Sequence, residues 1–182
     1  MIYVALLRGI NVGGKNTIDM KRLKATFERV GMTDVSTYIN SGNVVFIDQK
    51  RTQKEIASVL EEAIVADFQL TIKVLIRSLE VFDDLMAALP PHWLNNQVMK
   101  SDVLFLWEEI DEVAILNQLK IVSEIDHVDY VPGALLWMIE REHLSKTGMK
   151  KLVGTTLYKK MTIRNVNTTR KIYQRMQQLI EE

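Results

Sequence analysis

The sequence has no cysteine, only three prolines among its 182 residues, and no long run of apolar residues. The missing cysteine excludes disulfide bonds, thiolate metal sites and cysteine nucleophiles. No apolar stretch reaches the roughly 18 residues that a membrane helix needs, and residues 2–7 lack the basic segment that opens a signal peptide. We therefore expect a cytoplasmic protein that has no membrane partner.

An excess of charge of one sign is also absent, because 23 basic residues balance 23 acidic ones. With 47% apolar and 25% charged residues, the composition is that of a folded domain and excludes wholesale disorder. The charges are nevertheless unevenly distributed: residues 80–142 carry 13 acids and 3 bases, whereas residues 143–180 carry 9 bases and no acid. Either the two segments neutralise each other, or the basic one meets an anionic partner.

The first 77 residues follow a ferredoxin-like pattern. Short apolar runs bounded by glycine and asparagine predict strands, and apolar residues at helical spacing, such as Leu23, Phe27 and Val30, predict helices. The predicted strands cover 2–9, 35–39, 44–47 and 71–76, and the predicted helices cover 20–30 and 56–64. The order β-α-β-β-α-β is that of a split βαβ unit with an antiparallel sheet.

Residues 78–182 predict a second, degenerate copy of this pattern. Strands are expected at 102–107, 127–131 and 134–139, and helices at 78–88, 111–119, 142–152 and 168–180. The last helix has a good N-cap in Asn167 or Thr168. We therefore predict an α+β protein of two ferredoxin-like (βαββαβ-type) halves, 1–77 and 78–182, with basic helices at the C-terminal end.

Two polar loops of the first half are expected to meet. The first and second strands of a right-handed β-α-β crossover run parallel, so the loops that follow them share one edge. Glycine N–H groups can surround an anion, asparagine amides add donors and acceptors, and two bases add positive charge. The predicted ligand-binding residues are Arg8, Asn11, Gly13, Gly14, Lys15, Asn16, Asn40, Ser41, Gly42 and Asn43. Ordinary turn chemistry, which also favours asparagine and glycine, is the alternative.

Other chemistry has little support. Residues 9–15 resemble the phosphate-binding loop of nucleoside triphosphatases, but Asn16 stands where that loop needs serine or threonine to hold Mg²⁺. His127 and Asp129 share a strand face but have no evident third ligand for a metal. Ser41 has no assignable base that would make it a nucleophile. We expect neither a metal nor a cofactor.

The basic C-terminal third contains a second element that suits an anion. The N–H groups at the start of the last helix can hold a phosphate, and Arg164 and Arg170 flank them. Arg164 and Asn165 are therefore also predicted to bind the ligand. If this element folds back beside the loop of residues 8–16, the two form one site.

Three segments carry a resemblance to a known family. They are RGINVGG at 8–14 with Met20 and Leu23, TYINSGNVVF at 37–46, and Thr162, Arg164, Asn165 and Thr168, which form the pattern Thr-x-Arg-Asn-x-x-Thr. With these segments the chain resembles an uncharacterised bacterial family, a domain of unknown function. Val166 stands where the family usually has tryptophan. The resemblance implies an α+β fold with a ferredoxin-like part, and it implies no particular reaction.

These observations favour a protein that binds a phosphate-bearing ligand, RNA or single-stranded nucleic acid above all, through the glycine- and asparagine-rich loops. Two alternatives stay open. One is an enzyme that acts on a small nucleotide or a phosphorylated metabolite at the same loops. The other is a protein–protein interaction module that self-associates, in which the acidic middle of one chain pairs with the basic end of another.

Overall fold

The computed structural model describes residues 1–181, which form two units. Unit 1 comprises residues 1–82 and the end of the last helix, from Ile172 onward, and unit 2 comprises residues 83–171. Within residues 1–181, no helix combines the length and the apolar character needed to cross a bilayer.

Unit 1 is built on a four-stranded antiparallel sheet. Its strands are β1 Ile2–Leu7, β2 Thr33–Tyr38, β3 Asn43–Ile47 and β4 Val74–Ser78, in the order β2-β3-β1-β4. Val4 of β1 pairs with Val45 on one side and with Arg77 on the other. This is the ferredoxin-like order that the sequence pattern predicts.

Two helices cover one face of this sheet, α1 Met20–Arg29 and α2 Gln53–Phe68. Asp19 caps the N-terminus of helix α1, and its carboxylate accepts the Arg22 N–H at 2.9 Å. Helix α2 begins with a reciprocal capping box between Thr52 and Glu55, which satisfies N–H groups that the helix itself leaves unpaired. The helices bury a core in which aromatic rings contact one another, namely Tyr3, Phe27 and Phe46.

Unit 2 has the same sheet topology. Its strands are β5 Met99–Leu106, β6 His127–Val131, β7 Ala134–Glu140 and β8 Met161–Asn165, in the order β6-β7-β5-β8. The remaining helices are α3 Leu79–Ala88, α4 Met149–Leu152 and α5 Val166–Glu181, with 3₁₀ turns at Glu108–Ile110, Val113–Gln118, Arg141–His143 and Tyr158–Lys160. The chain is thus an α+β protein with two antiparallel sheets of one topology and a C-terminal helix.

The second half departs from the sequence prediction in several elements. In place of the expected helix at 111–119 the structure has a 3₁₀ segment at Val113–Gln118. The Asp111 carboxylate does not cap it but accepts the Tyr130 hydroxyl and the Gly133 N–H. The expected helix at 142–152 shrinks to the four residues of α4. Strand β8 is not indicated by the sequence pattern. The prediction that Asn167 or Thr168 caps the last helix is wrong: the helix starts at Val166, and the Asn165 side chain accepts the Thr168 N–H at 2.9 Å.

Candidate functional site

The two polar loops of unit 1 meet at one end of the sheet. Strands β1 and β2 both pair antiparallel with β3, so they point in the same direction and their following loops lie together. The Asn11 Nδ2 donates to the Asn40 carbonyl at 2.8 Å, and the Leu7 N–H donates to the Gly42 carbonyl at 2.9 Å. We call residues 8–17, residues 39–42 and Lys73 the loop edge.

The first loop projects as a tight turn. Val12 and Lys15 form a bridge, in which the Lys15 N–H donates to the Val12 carbonyl at 3.0 Å. Between them, Gly13 and Gly14 have φ values of 58° and 73°, which a two-residue turn of type I′ requires and glycine adopts without strain. Within residues 1–181, no acceptor receives the N–H group of either glycine. The tip therefore presents two N–H groups beside an exposed lysine.

Two of the predicted ligand-binding asparagines are used inside the first loop. The Asn11 amide donates to the Ile18 carbonyl at 3.1 Å, and its oxygen accepts the Ile18 N–H at 2.8 Å. The Asn16 amide donates to the Gly9 carbonyl at 2.9 Å. For these two residues the structure fits ordinary turn chemistry, and their role at the loop edge is to hold the tip in place.

The second loop is likewise closed by its own residues. The Asn43 amide donates to the Tyr38 carbonyl and to the Ser41 Oγ, each at 3.0 Å. Gly42 has a φ of 85°, and a Cβ at this position would lie 2.8 Å from the Leu7 Cβ. Gly42 is therefore needed for close approach to β1. Among the asparagines predicted for the site, Asn40 is exposed, and no hydrogen bond engages its side chain within residues 1–181.

The loop edge carries three bases and no acid, namely Arg8, Lys15 and Lys73. Lys73 is not among the residues that the sequence predicts for the site. It directly precedes β4, which runs antiparallel to β1, and its carbonyl accepts the Arg8 N–H at 3.0 Å. The ferredoxin-like strand order places the fourth strand beside the first, and from this order Lys73 could have been predicted to lie at the loop edge.

A shallow pocket of about 470 Å³ adjoins the tip. It is lined by Asn11, Gly14, Thr17, Ile18, Asp19, Met20 and Asn40. The Asp19 carboxylate lies at the start of α1 and accepts a backbone N–H there. Its negative charge occupies the helix end that would otherwise attract an anion. The helix also begins five residues after Lys15, not directly at the lysine as in a nucleotide-binding P-loop.

The comparisons with known proteins place this chain in a family. Residues 1–137, which include the whole loop edge, match a family described as "Protein of unknown function (DUF1697)". The chain belongs to this family. A solved structure of the conserved bacterial protein SP0830 from Streptococcus pneumoniae is similar over 96% of this chain and 98% of its own, with 29% sequence identity and a TM-score of 0.82. None of the curated proteins matches the sequence.

In this DUF1697 protein the predicted residues of the late element serve unit 2. Arg164 lies on β8 with only 7% of its surface exposed, and it donates to the Thr162 hydroxyl and the Ile163 carbonyl, each at 2.9 Å. Burial lowers the pKa of Arg164 to about 10. Asn165 caps α5. The Arg-Asn pair therefore joins the last strand to the last helix and does not present an exposed cation.

Two other arginines of the basic segment are also used internally. Arg170 donates to the Trp93 carbonyl at 2.7 Å and to the Pro90 carbonyl at 3.1 Å. Arg175 lies over the Tyr38 ring, with its guanidinium carbon 4.9 Å from the ring centroid. The charge count of residues 143–180 therefore overstates the exposed positive charge. The exposed bases among residues 143–171 are all lysines, namely Lys146, Lys150, Lys151, Lys159 and Lys171.

Proposed function

We propose that the loop edge binds the phosphate groups of single-stranded nucleic acid, with RNA as the preferred form. The observation that carries the proposal is the projecting tip, where the N–H groups of Gly13 and Gly14 accompany the Lys15 ammonium. Successive backbone N–H groups in a turn suit phosphate oxygens, and the lysine adds a charge-assisted donor.

A chain of phosphates suits this surface better than a single phosphate. Gly13, Gly14 and Lys15 are all exposed, so one phosphate would make few contacts at the tip. Arg8 and Lys73 extend the positive charge across the end of the sheet. Binding energy at such a surface accumulates from successive phosphates, and the release of counterions makes it strongly dependent on salt.

The alternative of an enzyme for a small nucleotide has one observation in its favour, the adjoining pocket of about 470 Å³. The Asp19 carboxylate at the start of α1 disfavours a phosphate there. The alternative of self-association through opposite charges is weakened by an internal ion pair: Lys160 Nζ lies 3.5 Å from Glu109 Oε2, so the basic and acidic segments meet within one unit 2.

Charge reversal of Lys15 is expected to distinguish binding at the tip from a general electrostatic attraction between the protein and an anion. Lys15→Glu is expected to weaken binding of a fluorescein-labelled single-stranded RNA by about tenfold in low salt, and to flatten the dependence of log K on log salt. The matched control is Lys54→Glu. Lys54 is exposed on the first turn of α2, at the opposite end of the sheet, and the control changes net charge equally.

Fluorescence anisotropy at several salt concentrations measures both effects. Binding by the wild type that is lost with Lys15→Glu and retained with Lys54→Glu is the expected result. Equal loss in both variants would contradict a site at the tip, and no binding in low salt would overturn the proposal. Saturable binding of a mononucleotide that is insensitive to salt would favour the enzyme alternative instead.

A further inference from the structure

Ile39 is held in a backbone conformation that a β-branched residue rarely adopts. Its φ is 49°, in the left-handed region, where the branched side chain crowds the backbone. Glycine or asparagine would adopt the same conformation with little strain. Burial does not account for the isoleucine, because 49% of its surface is exposed. A strained residue whose side chain stays half exposed is a reason to look for function.

The position of Ile39 in the loop edge indicates what that function is. Ile39 precedes Asn40, whose carbonyl accepts the Asn11 amide from the other loop. Val12 follows Asn11, and 64% of its surface is exposed. Each residue of the hydrogen bond that joins the loops thus has an exposed branched aliphatic residue next to it in the sequence, and Lys15 is bridged to Val12. The loop edge therefore carries exposed apolar residues as well as positive charge.

We infer that Ile39 and Val12 form the contact for the bases of the bound strand, while Lys15 holds its phosphates. This inference rests on the function proposed above and specifies which part of the ligand each residue of the same site contacts. The positive charge of the loop edge favours a polyanion, and a single strand exposes the apolar faces of its bases. Aliphatic side chains can pack against those faces, as apolar wedges do between bases. Such a contact tolerates different sequences and requires unstacked, accessible bases.

Replacing Ile39 is expected to raise stability and lower affinity together. In Ile39→Asn the side chain tolerates the left-handed conformation, so the Tm should rise by about 2–4 °C. Affinity for single-stranded RNA should fall by about tenfold because a base contact is lost. The dependence of log K on log salt should not change, because no charge is removed. The unchanged salt dependence distinguishes the effect of Ile39→Asn from that of Lys15→Glu.

An abasic strand isolates the base contact. A labelled oligonucleotide of equal length whose sugars carry no bases keeps every phosphate, so the wild type and Ile39→Asn should bind it equally well. The matched control is Val65→Asn. Val65 is a similarly exposed aliphatic residue on α2 and is not part of the loop edge, so its replacement should change the affinity for neither strand.

Each other outcome has a distinct meaning. If Ile39→Asn raises the Tm but binds normal RNA as the wild type does, the inference is wrong and the phosphate site stands. If Ile39→Asn lowers both the Tm and the affinity, Ile39 has a structural role and the inference is also wrong. If the wild type binds neither strand in low salt, both the inference and the proposed function are overturned.

Discussion

Asp126→Ala is expected to destabilise unit 2 by about 4 kcal/mol, since each buried donor left unpaired costs roughly 1–3 kcal/mol. The Asp126 carboxylate is buried and accepts four hydrogen bonds. Their donors are the Val122 N–H, the Trp137 Nε1, the Thr147 hydroxyl and the Gly148 N–H. Through the last two, Asp126 anchors the start of the segment that carries the exposed lysines of unit 2.

The stability of Asp126→Asn should lie between that of the wild type and that of the alanine variant, with a loss of about 2 kcal/mol. One carboxylate oxygen accepts from Thr147 and Trp137, and the other accepts from Val122 and Gly148 at 2.8 Å each. An amide supplies only one oxygen, so its NH₂ group must face two donors. The asparagine variant keeps the side-chain shape and removes the charge.

The same variant tests the pH dependence that Asp126 contributes. Burial alone would raise the pKa of Asp126, but the hydrogen bonds, that of Thr147 foremost, outweigh it and hold the pKa below its usual value. A carboxyl whose pKa is lowered by folding stabilises the protein above its unfolded pKa of about 3.9 and loses that contribution as the pH falls through the folded value. The stability difference between the wild type and Asp126→Asn should therefore shrink below about pH 4.

Urea unfolding followed by tryptophan fluorescence is the appropriate measurement. All three tryptophans, Trp93, Trp107 and Trp137, belong to unit 2, so the signal reports that unit alone. A difference between the wild type and Asp126→Asn that is the same at pH 7 and pH 3 would show that the charge of Asp126 does not contribute. An alanine variant as stable as the wild type would refute the role of the hydrogen bonds.

The sequence was sufficient to predict that the two loops of unit 1 meet. Strand order and crossover handedness are set by backbone geometry, so the contact between Asn11 and Asn40 needed no knowledge of side-chain positions. The role of each asparagine could not be predicted. An asparagine that closes a turn and one that binds a ligand occur in the same sequence context, and only the hydrogen bonds of Asn16 and Asn43 distinguish them.

The prediction was weaker in unit 2, for a physical reason that β8 illustrates. Its polar residues Thr162 and Arg164 are buried, whereas the intervening Ile163 is half-buried, so the alternation of polar and apolar residues is the reverse of a solvent-facing strand. A charge count treats Arg164 as surface charge, because composition contains no information on burial. The same limitation made the last helix look like an anion site, although Asn165 caps it.

Gly148→Ala is the second change for which a large effect is expected. The φ of Gly148 is −65°, which alanine adopts readily, so the expected effect arises from space alone. A Cβ at this position would lie 1.8 Å from the Lys120 carbonyl oxygen and 3.1 Å from the Asp126 Oδ2. The carbonyl belongs to the backbone and cannot rotate away as a side chain would. We expect a loss of about 3 kcal/mol or more, at the upper end of overpacking effects.

Gly154→Ala is the matched control, because the two glycines lie in one segment and differ in what surrounds them. Gly154 has a φ of 86°, and a Cβ added there would meet no atom within 4 Å, so its replacement adds strain of about 1–2 kcal/mol without a clash. Urea unfolding followed by tryptophan fluorescence should show that Gly148→Ala is much less stable than Gly154→Ala. Equal stabilities would contradict the contact with Lys120.

Gly148→Ala and Asp126→Ala disrupt the same junction. The double variant should therefore lose less stability than the sum of the two single losses. An additive loss would mean that the two residues act independently.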